Sequence, residues 1–359
     1  MTTRRDFLRT GAAAGVMFCS CGLLKSAHAQ APRATLPVSV AGKRVKTIDV
    51  HAHCVIPEGA KLLGSSGPPS TVRGAEEAVI DIKTRLAAMD AQAVDIEVLS
   101  INPRWYGRDR DLAGQVVKIQ NEKLAELVAS KPDRFAAFAS LTLQAPDLAV
   151  QELETAVKKQ GLKGAAIGGN VAGEAFSDPK FHPVWAKAEE LGVSLFIHPQ
   201  GVPELDKQVA GNGWLSNAIA FPVETTIALS HLIFEGTFDR FPKLKVIAAH
   251  GGGFLPSYAD RSDHACLVNP RACNPEIKLK KAPTEYLKQI YFDSLVFTPE
   301  ALRHLAEQVG AGQLVLGSDY PFPWQLQPVD HIFASTSLSD DEKADILGRT
   351  AAKLLGIEV

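Results

Sequence analysis

The stretch Ile48-Asp49-Val50-His51-Ala52-His53 runs from an apolar approach into two histidines one residue apart. Val45, Ile48 and Val50 alternate, or nearly so, like a strand entering a core. Residues i and i+2 of a strand project from one face, so both imidazoles would leave the strand end side by side. Two neutral ring nitrogens placed that way suit a divalent metal. Two of the ten histidines could also fall together by chance. The metal reading therefore depends on matching donors elsewhere.

Working outward, short β-like runs alternate with amphipathic helical stretches. The runs cover 45–50, 94–101, 135–141, 164–167, 194–198, 245–250, 290–296 and 314–317. The helical stretches cover 80–91, 109–129, 146–159, 183–191, 218–234, 255–267, 299–309 and 339–355. Start signals support several of them. Asp109 can cap, Thr298 precedes Pro299, and Ser339-Asp340-Asp341-Glu342 reads as a capping box. Eight strand–helix pairs predict a (β/α)8 barrel of the TIM type, with active-site residues at the C-terminal strand ends. A doubly wound open sheet would put a Gly-rich phosphate turn after the first strand, where this chain has histidines. A long loop rich in Pro, Gly and Ser after the first strand, and another long loop after the fifth, would overhang the mouth.

Three more apolar runs end in a donor. Leu195-Phe196-Ile197 ends at His198, Val246-Ile247-Ala248-Ala249 at His250, and Leu314-Val315-Leu316-Gly317-Ser318 at Asp319. Donors at four of eight strand ends are hard to ascribe to chance. Three imidazoles and one carboxylate suit a borderline divalent ion, most simply Zn2+, with Mn2+ also possible. His51, His53, His198 and Asp319 are the expected ligands, and His250 the acid/base beside bound water. His250 as a fifth ligand, or exchanging roles with His198, is the alternative. Asp293, at the seventh strand, either lies near the site or braces a neighbour. His182, His231, His264, His304 and His331 read as structural or solvated, and Trp324 as either pocket wall or core.

These motifs resemble the amidohydrolase superfamily: His51-x-His53, His198, His250-Gly-Gly-Gly and Gly317-Ser318-Asp319-Tyr320-Pro321-Phe322-Pro323. Within it the chain is most similar to the aminocarboxymuconate-semialdehyde decarboxylase group, from about Lys46 onward. Met89-Asp90-Ala91-Gln92 and Phe292-Asp293-Ser294-Leu295-Val296-Phe297 belong to that likeness. The resemblance implies a metal-dependent hydrolase-type barrel and non-oxidative decarboxylation of a small unsaturated or aromatic carboxylic acid, through metal-bound water and a catalytic His250. Asp319 serves there as ligand and as catalytic group. It also implies two arginines on the substrate carboxylate: Arg73 in the loop after the first strand, and Arg261 reaching across a homodimer interface. A guanidinium fork suits a carboxylate. The same donors would also serve a hydrolase of a lactone, ester or amide, or a hydratase.

The N-terminus reads differently. Arg4-Arg5, an apolar run from Gly11 to Leu24, and small residues Ala27 and Ala29 compose a twin-arginine export signal over 1–29, cleaved near Ala29. It is too short for a comfortable stable membrane anchor. A linker over 30–44 and one barrel domain over 45–359 would follow. Periplasmic residence through the twin-arginine export machinery is thereby expected. A net charge of −2 and 22% charged residues, with no basic stripe, argue against a nucleic-acid partner. Without a C-x-x-C, cysteine-based zinc or thiol-redox chemistry is not expected. Cys266 and Cys273 either pair or stay free.

Overall fold

The computed structural model describes residues 33–65 and 71–358. The export signal expected over 1–29 lies outside them. Residues 30–44, read above as a linker, are not wholly irregular. Strands β1 (Ser39–Val40) and β2 (Lys43–Arg44) pair antiparallel as a small hairpin. Val38 and Val40 are buried, so the hairpin is anchored by apolar packing that the polar composition of the segment masked. The main compact unit accordingly begins at Thr35.

Eight strands follow: β3 (Ile48–His53), β4 (Ile96–Ser100), β5 (Phe135–Ala137), β6 (Gly164–Ile167), β7 (Ser194–Ile197), β8 (Lys245–Ala248), β9 (Ile290–Asp293) and β10 (Leu314–Val315). Every pairing among them is parallel. They form two arcs, β3-β4-β5 and β6-β7-β8-β9-β10. Parallel bridges Asp49–Leu316 and Ala52–Tyr320 join one pair of arc ends, and Ala139–Ala165 joins the other. The arcs thus close into the expected barrel. Nearly every strand position is buried, which explains the near-continuous apolar runs.

Helices α1 (Ile82–Ala91), α2 (Arg110–Ser130), α3 (Pro146–Lys158), α4 (His182–Leu191), α5 (Phe221–Phe234), α6 (Leu255–Val268) and α7 (Pro299–Val309) separate successive strands. Asp109 accepts from the Leu112 N–H and Thr298 from the Ala301 N–H, as their positions predicted. Ser339 and Glu342 complete the capping box at the last helical run, Asp340–Ala344 through Thr350–Leu355. Ala351, Ala352, Leu354 and Leu355 of that run pack into a core with Ile48, Val98, Phe138, Phe196 and Val315. Each large apolar side chain buried there contributes ~1.5–3 kcal/mol. Cys266 and Cys273 form a disulfide at the end of α6, and Cys54 is buried and free.

Candidate metal centre

Parallel strands in a closed barrel present their C-terminal ends on one rim, so donors far apart in sequence converge. The Nε2 atoms of His51 and His53 are 3.1 Å apart. Asp319 Oδ1 stands 3.3 Å from the first and 2.9 Å from the second. The His198 ring centroid is 5.0 Å from that of His51 and 4.6 Å from that of His53. His250 lies 5.1 Å from His198 by centroids, with its Nε2 3.8 Å from Asp319 Oδ2. One donor atom from each of His51, His198, His250 and Asp319 falls within a 4.8 Å group. All five residues expected from the sequence therefore meet.

The donor set fits a metal. Ligands about 2.0–2.1 Å from one ion stand roughly 2.9–3.4 Å apart, and the donor atoms of His51, His53 and Asp319 are 2.9 to 3.3 Å apart. Asp319 Oδ1 is buried and makes no hydrogen bond although His53 Nε2 is so near. An ion between them would satisfy both the nitrogen and the oxygen. Electrostatics agree. Burial disfavours a charged His51, yet Asp319 and Asp293 outweigh it and push its pKa up to about 10. Burial also opposes the Asp319 carboxylate, but His51, His250 and His53 hold it well below the usual range. Burial and the neighbouring imidazoles push His198 well down, keeping its nitrogens neutral. The pocket stabilises positive charge between its carboxylates, which is what a bound cation needs.

A second set of residues holds the donors in place. Asp293 Oδ2 accepts from His51 Nδ1 at 2.6 Å and from the His250 N–H at 2.9 Å. Its Oδ1 accepts from the N–H groups of Gly251 and Leu295. Of the two readings left open for Asp293, bracing is the one its hydrogen bonds support. Asp49 accepts from the His51 N–H and from the Ser318 hydroxyl, tying β3 to the segment that follows β10. Beneath them, Arg85 is 1% exposed. Its Nε donates to Glu97 at 2.6 Å, its Nη1 to the His53 carbonyl at 3.0 Å, and its guanidinium stacks on Tyr320. His250 and Asp319 both adopt positive φ, at 55° and 63°, strain characteristic of functional positions. Gly317 has to be glycine: a Cβ there would sit 2.8 Å from Asp293 Cβ and 3.1 Å from His51 Cβ.

A cavity of about 430 Å3 opens onto this centre, lined by His198, His250, Asp319, Gln200, Asn217, Phe221 and Trp324 among others. Trp324 is thus a pocket wall, stacked on Trp214. Neither arginine implied by the resemblance lines this cavity. Arg73 is exposed and lines an outer cavity with Trp214, Phe322 and Trp324, while its neighbour Val72 lines the inner one. Arg261 lies on the exposed side of α6. The arginine that does line the metal cavity is Arg104, which sequence reasoning missed. It sits in Asn102-Pro103-Arg104-Trp105, just past β4, and the chain position after a barrel strand was the available signal.

The model of the family described as amidohydrolase matches residues 48–357. The chain belongs to the amidohydrolase family. It is 34% identical over 282 residues to a 2-amino-3-carboxymuconate-6-semialdehyde decarboxylase of Dictyostelium discoideum, covering 77% of each chain. It is 30% identical over 326 residues to a gamma-resorcylate decarboxylase of Rhizobium radiobacter, covering 86% of this chain and 97% of that one. The solved dihydroxybenzoic acid decarboxylase of Polaromonas sp. JS666, with bound manganese and the inhibitor 2-nitroresorcinol, superposes with a TM-score of 0.76 at 25% identity, over 87% of this chain and 97% of that one. This family membership accounts for the barrel and for its convergent histidines.

Proposed function

We propose that this amidohydrolase is a metal-dependent non-oxidative decarboxylase, a carboxy-lyase acting on a small aromatic or unsaturated carboxylic acid. The observation that carries the reading is the five-donor centre open to a cavity, in a chain whose relatives are decarboxylases. His51, His53, His198 and Asp319 would hold the ion, Zn2+ or Mn2+. Such an ion supplies Lewis acidity and polarises an oxygen of the acid. His250 remains as proton carrier. Its side chain is 16% exposed against 0% and 5% for His51 and His53, and it stands farther from Asp319 than they do.

In the reaction the bond from ring or chain carbon to carboxylate breaks and CO2 leaves. The electron pair stays on carbon, and a proton takes the vacated position. His250 Nε2 and Asp319 Oδ2, 3.8 Å apart at the cavity, are the groups placed to hold and deliver that proton. Asp293 keeps His250 and His51 in register while this happens. Aromatic walls from Phe221, Phe322 and Trp324 suit a planar acid.

Arg73 would meet the acid at the outer rim, and a homodimer would bring a second copy's Arg261 toward the mouth. Exposed Tyr258, Leu267 and Val268 on the same helix support such an interface. The twin-arginine motif and small residues before Gln30 support export to the periplasm, a route used by proteins that fold around a metal first.

The test is to load the protein with Zn2+ or Mn2+ and measure CO2 release from gamma-resorcylate and other hydroxybenzoic and muconic acids. Release from at least one is expected. Turnover of lactones or esters without CO2 from any acid would overturn the reading.

A further inference from the structure

Strand β6 ends without a metal donor and runs into Gly168-Gly169-Asn170. That turn meets the loop after β7 and the first turn of α5. Gln200 Nε2 donates to the Asn170 carbonyl at 3.2 Å. Asn170 Nδ2 donates to Glu224 Oε1 at 2.9 Å. Glu224 Oε2 in turn accepts from the Gln200 N–H at 3.1 Å. Three residues from three elements thus close a ring of hydrogen bonds. The Gly201 N–H adds a second donor to Glu224 Oε2 at 2.8 Å, and the Gly173 N–H fixes Asn170 Oδ1 at 2.8 Å.

Glu224 is 2% exposed and is not one of the metal donors. Burial pushes its carboxyl above the usual range, against the pull of the N–H groups around it. Both ends of the side chain face donors. A carboxylate accepts at both, whereas a carboxamide would turn its NH2 toward one of them. The backbone comes close on the β6 side, where a Cβ on Gly169 would stand 2.6 Å from Glu224 Cγ. One member of the ring, Gln200, lines the metal cavity with His198, His250 and Asp319. His198 is tied to β6 by its own N–H, 2.9 Å from the Ile167 carbonyl. The ring therefore fixes a wall of the cavity rather than a ligand of the metal. The Gln200 carboxamide carries two donor hydrogens and an acceptor oxygen, more than its bond to Asn170 uses.

We infer that Glu224 is a positioning residue for the substrate: it holds Gln200 in the wall of the metal cavity, and the Gln200 carboxamide touches the bound acid. The acid as substrate rests on the decarboxylase reading above, but binding against this wall does not need turnover.

The experiment compares the metal-loaded wild type with Q200A, E224Q and the E224Q/Q200A double variant. Benzoate, salicylate, gamma-resorcylate and 2-nitroresorcinol are titrated by calorimetry, and CO2 release from the three acids gives kcat and KM. For the tightest ligand, Q200A should weaken binding and raise KM about three- to tenfold, the worth of one neutral hydrogen bond. E224Q should shift both in the same direction, with kcat and metal content within twofold of wild type. The double variant should match Q200A within twofold, because Glu224 acts through Gln200. Should E224Q fail to fold, N170A breaks the ring at another side chain and should give the same shift, absent in a Q200A background. Additive losses in the double variant would make Glu224 a general structural residue, and metal loss in E224Q would make it a support of His198; either overturns the inference. So does a Q200A that binds every probe within twofold of wild type, or a wild type that binds none of the four. If the binding pattern holds and no acid releases CO2, the positioned wall stands and the decarboxylase reading fails.

Discussion

The metal cradle and the cavity mouth occupy the same rim of the barrel but are built differently. In the cradle the two histidines of β3 are each held by more than one bond. His51 is gripped by Asp293 at one nitrogen, its backbone by Asp49, and the His53 carbonyl by Arg85. At the mouth, Arg73 and Arg104 are exposed, and Trp214 stacks on Trp324 at 5.7 Å. On the proposed function, the contrast separates the groups that would hold the metal from those that would choose the acid. Buried, hydrogen-bonded donors hold geometry to a fraction of an ångström; exposed loop side chains can be exchanged without unfolding anything.

The largest break should come from the cradle. His53→Ala removes a ligand, so metal content by atomic absorption should fall and CO2 release should drop by about 10^3-fold or more, as loss of several kcal/mol of Lewis-acid assistance implies. Retention of full metal and activity would show that His53 is not a ligand. Next is the buried pair beneath it. Arg85→Met leaves Glu97, itself 1% exposed, as an unpaired acid whose pKa burial already raises. Denaturant unfolding should report a loss of about 3–5 kcal/mol, much of it restored in the Arg85→Met/Glu97→Met double variant.

Asp293→Asn should act more mildly, because it loosens a ligand without removing it. Metal affinity should fall roughly 10–100-fold with the fold intact by circular dichroism. A change of less than twofold would place Asp293 outside the metal's support. The smallest effect is expected at the outer rim. Arg73→Gln should change kcat/KM by no more than about tenfold, since an exposed ion pair is worth roughly 0–1 kcal/mol. A loss as large as that of a cradle residue would erase the contrast between the two regions.

The same contrast governs what could be read from the sequence. The barrel was legible because each strand is buried on both faces and reads as an apolar run; Gly164–Ile167 and Pro299–Val309 match their expected bounds residue for residue. The donors were legible because each terminates such a run. What escaped notice depends on tertiary placement alone. Arg85 and Glu97 are charged residues on a helix and a strand, and nothing local says that they bury against each other. Asp293 could have faced the metal or a histidine until its 2.6 Å bond to His51 was seen. Arg104 follows a strand like many loop residues, and only the closed barrel brings it to the cavity. Residues 39–44 lack the length to read as strands, so their hairpin was hidden in what looked like a linker.

On the proposed function, four of the five converging groups hold the metal and the fifth moves the proton. His250→Ala decides it. Metal content and CO2 release are measured on the same preparation. The expected result is metal at the wild-type stoichiometry with turnover lowered about 10^2–10^4-fold, the usual share of general acid–base catalysis. Loss of the metal together with activity would make His250 a ligand and contradict the division of roles.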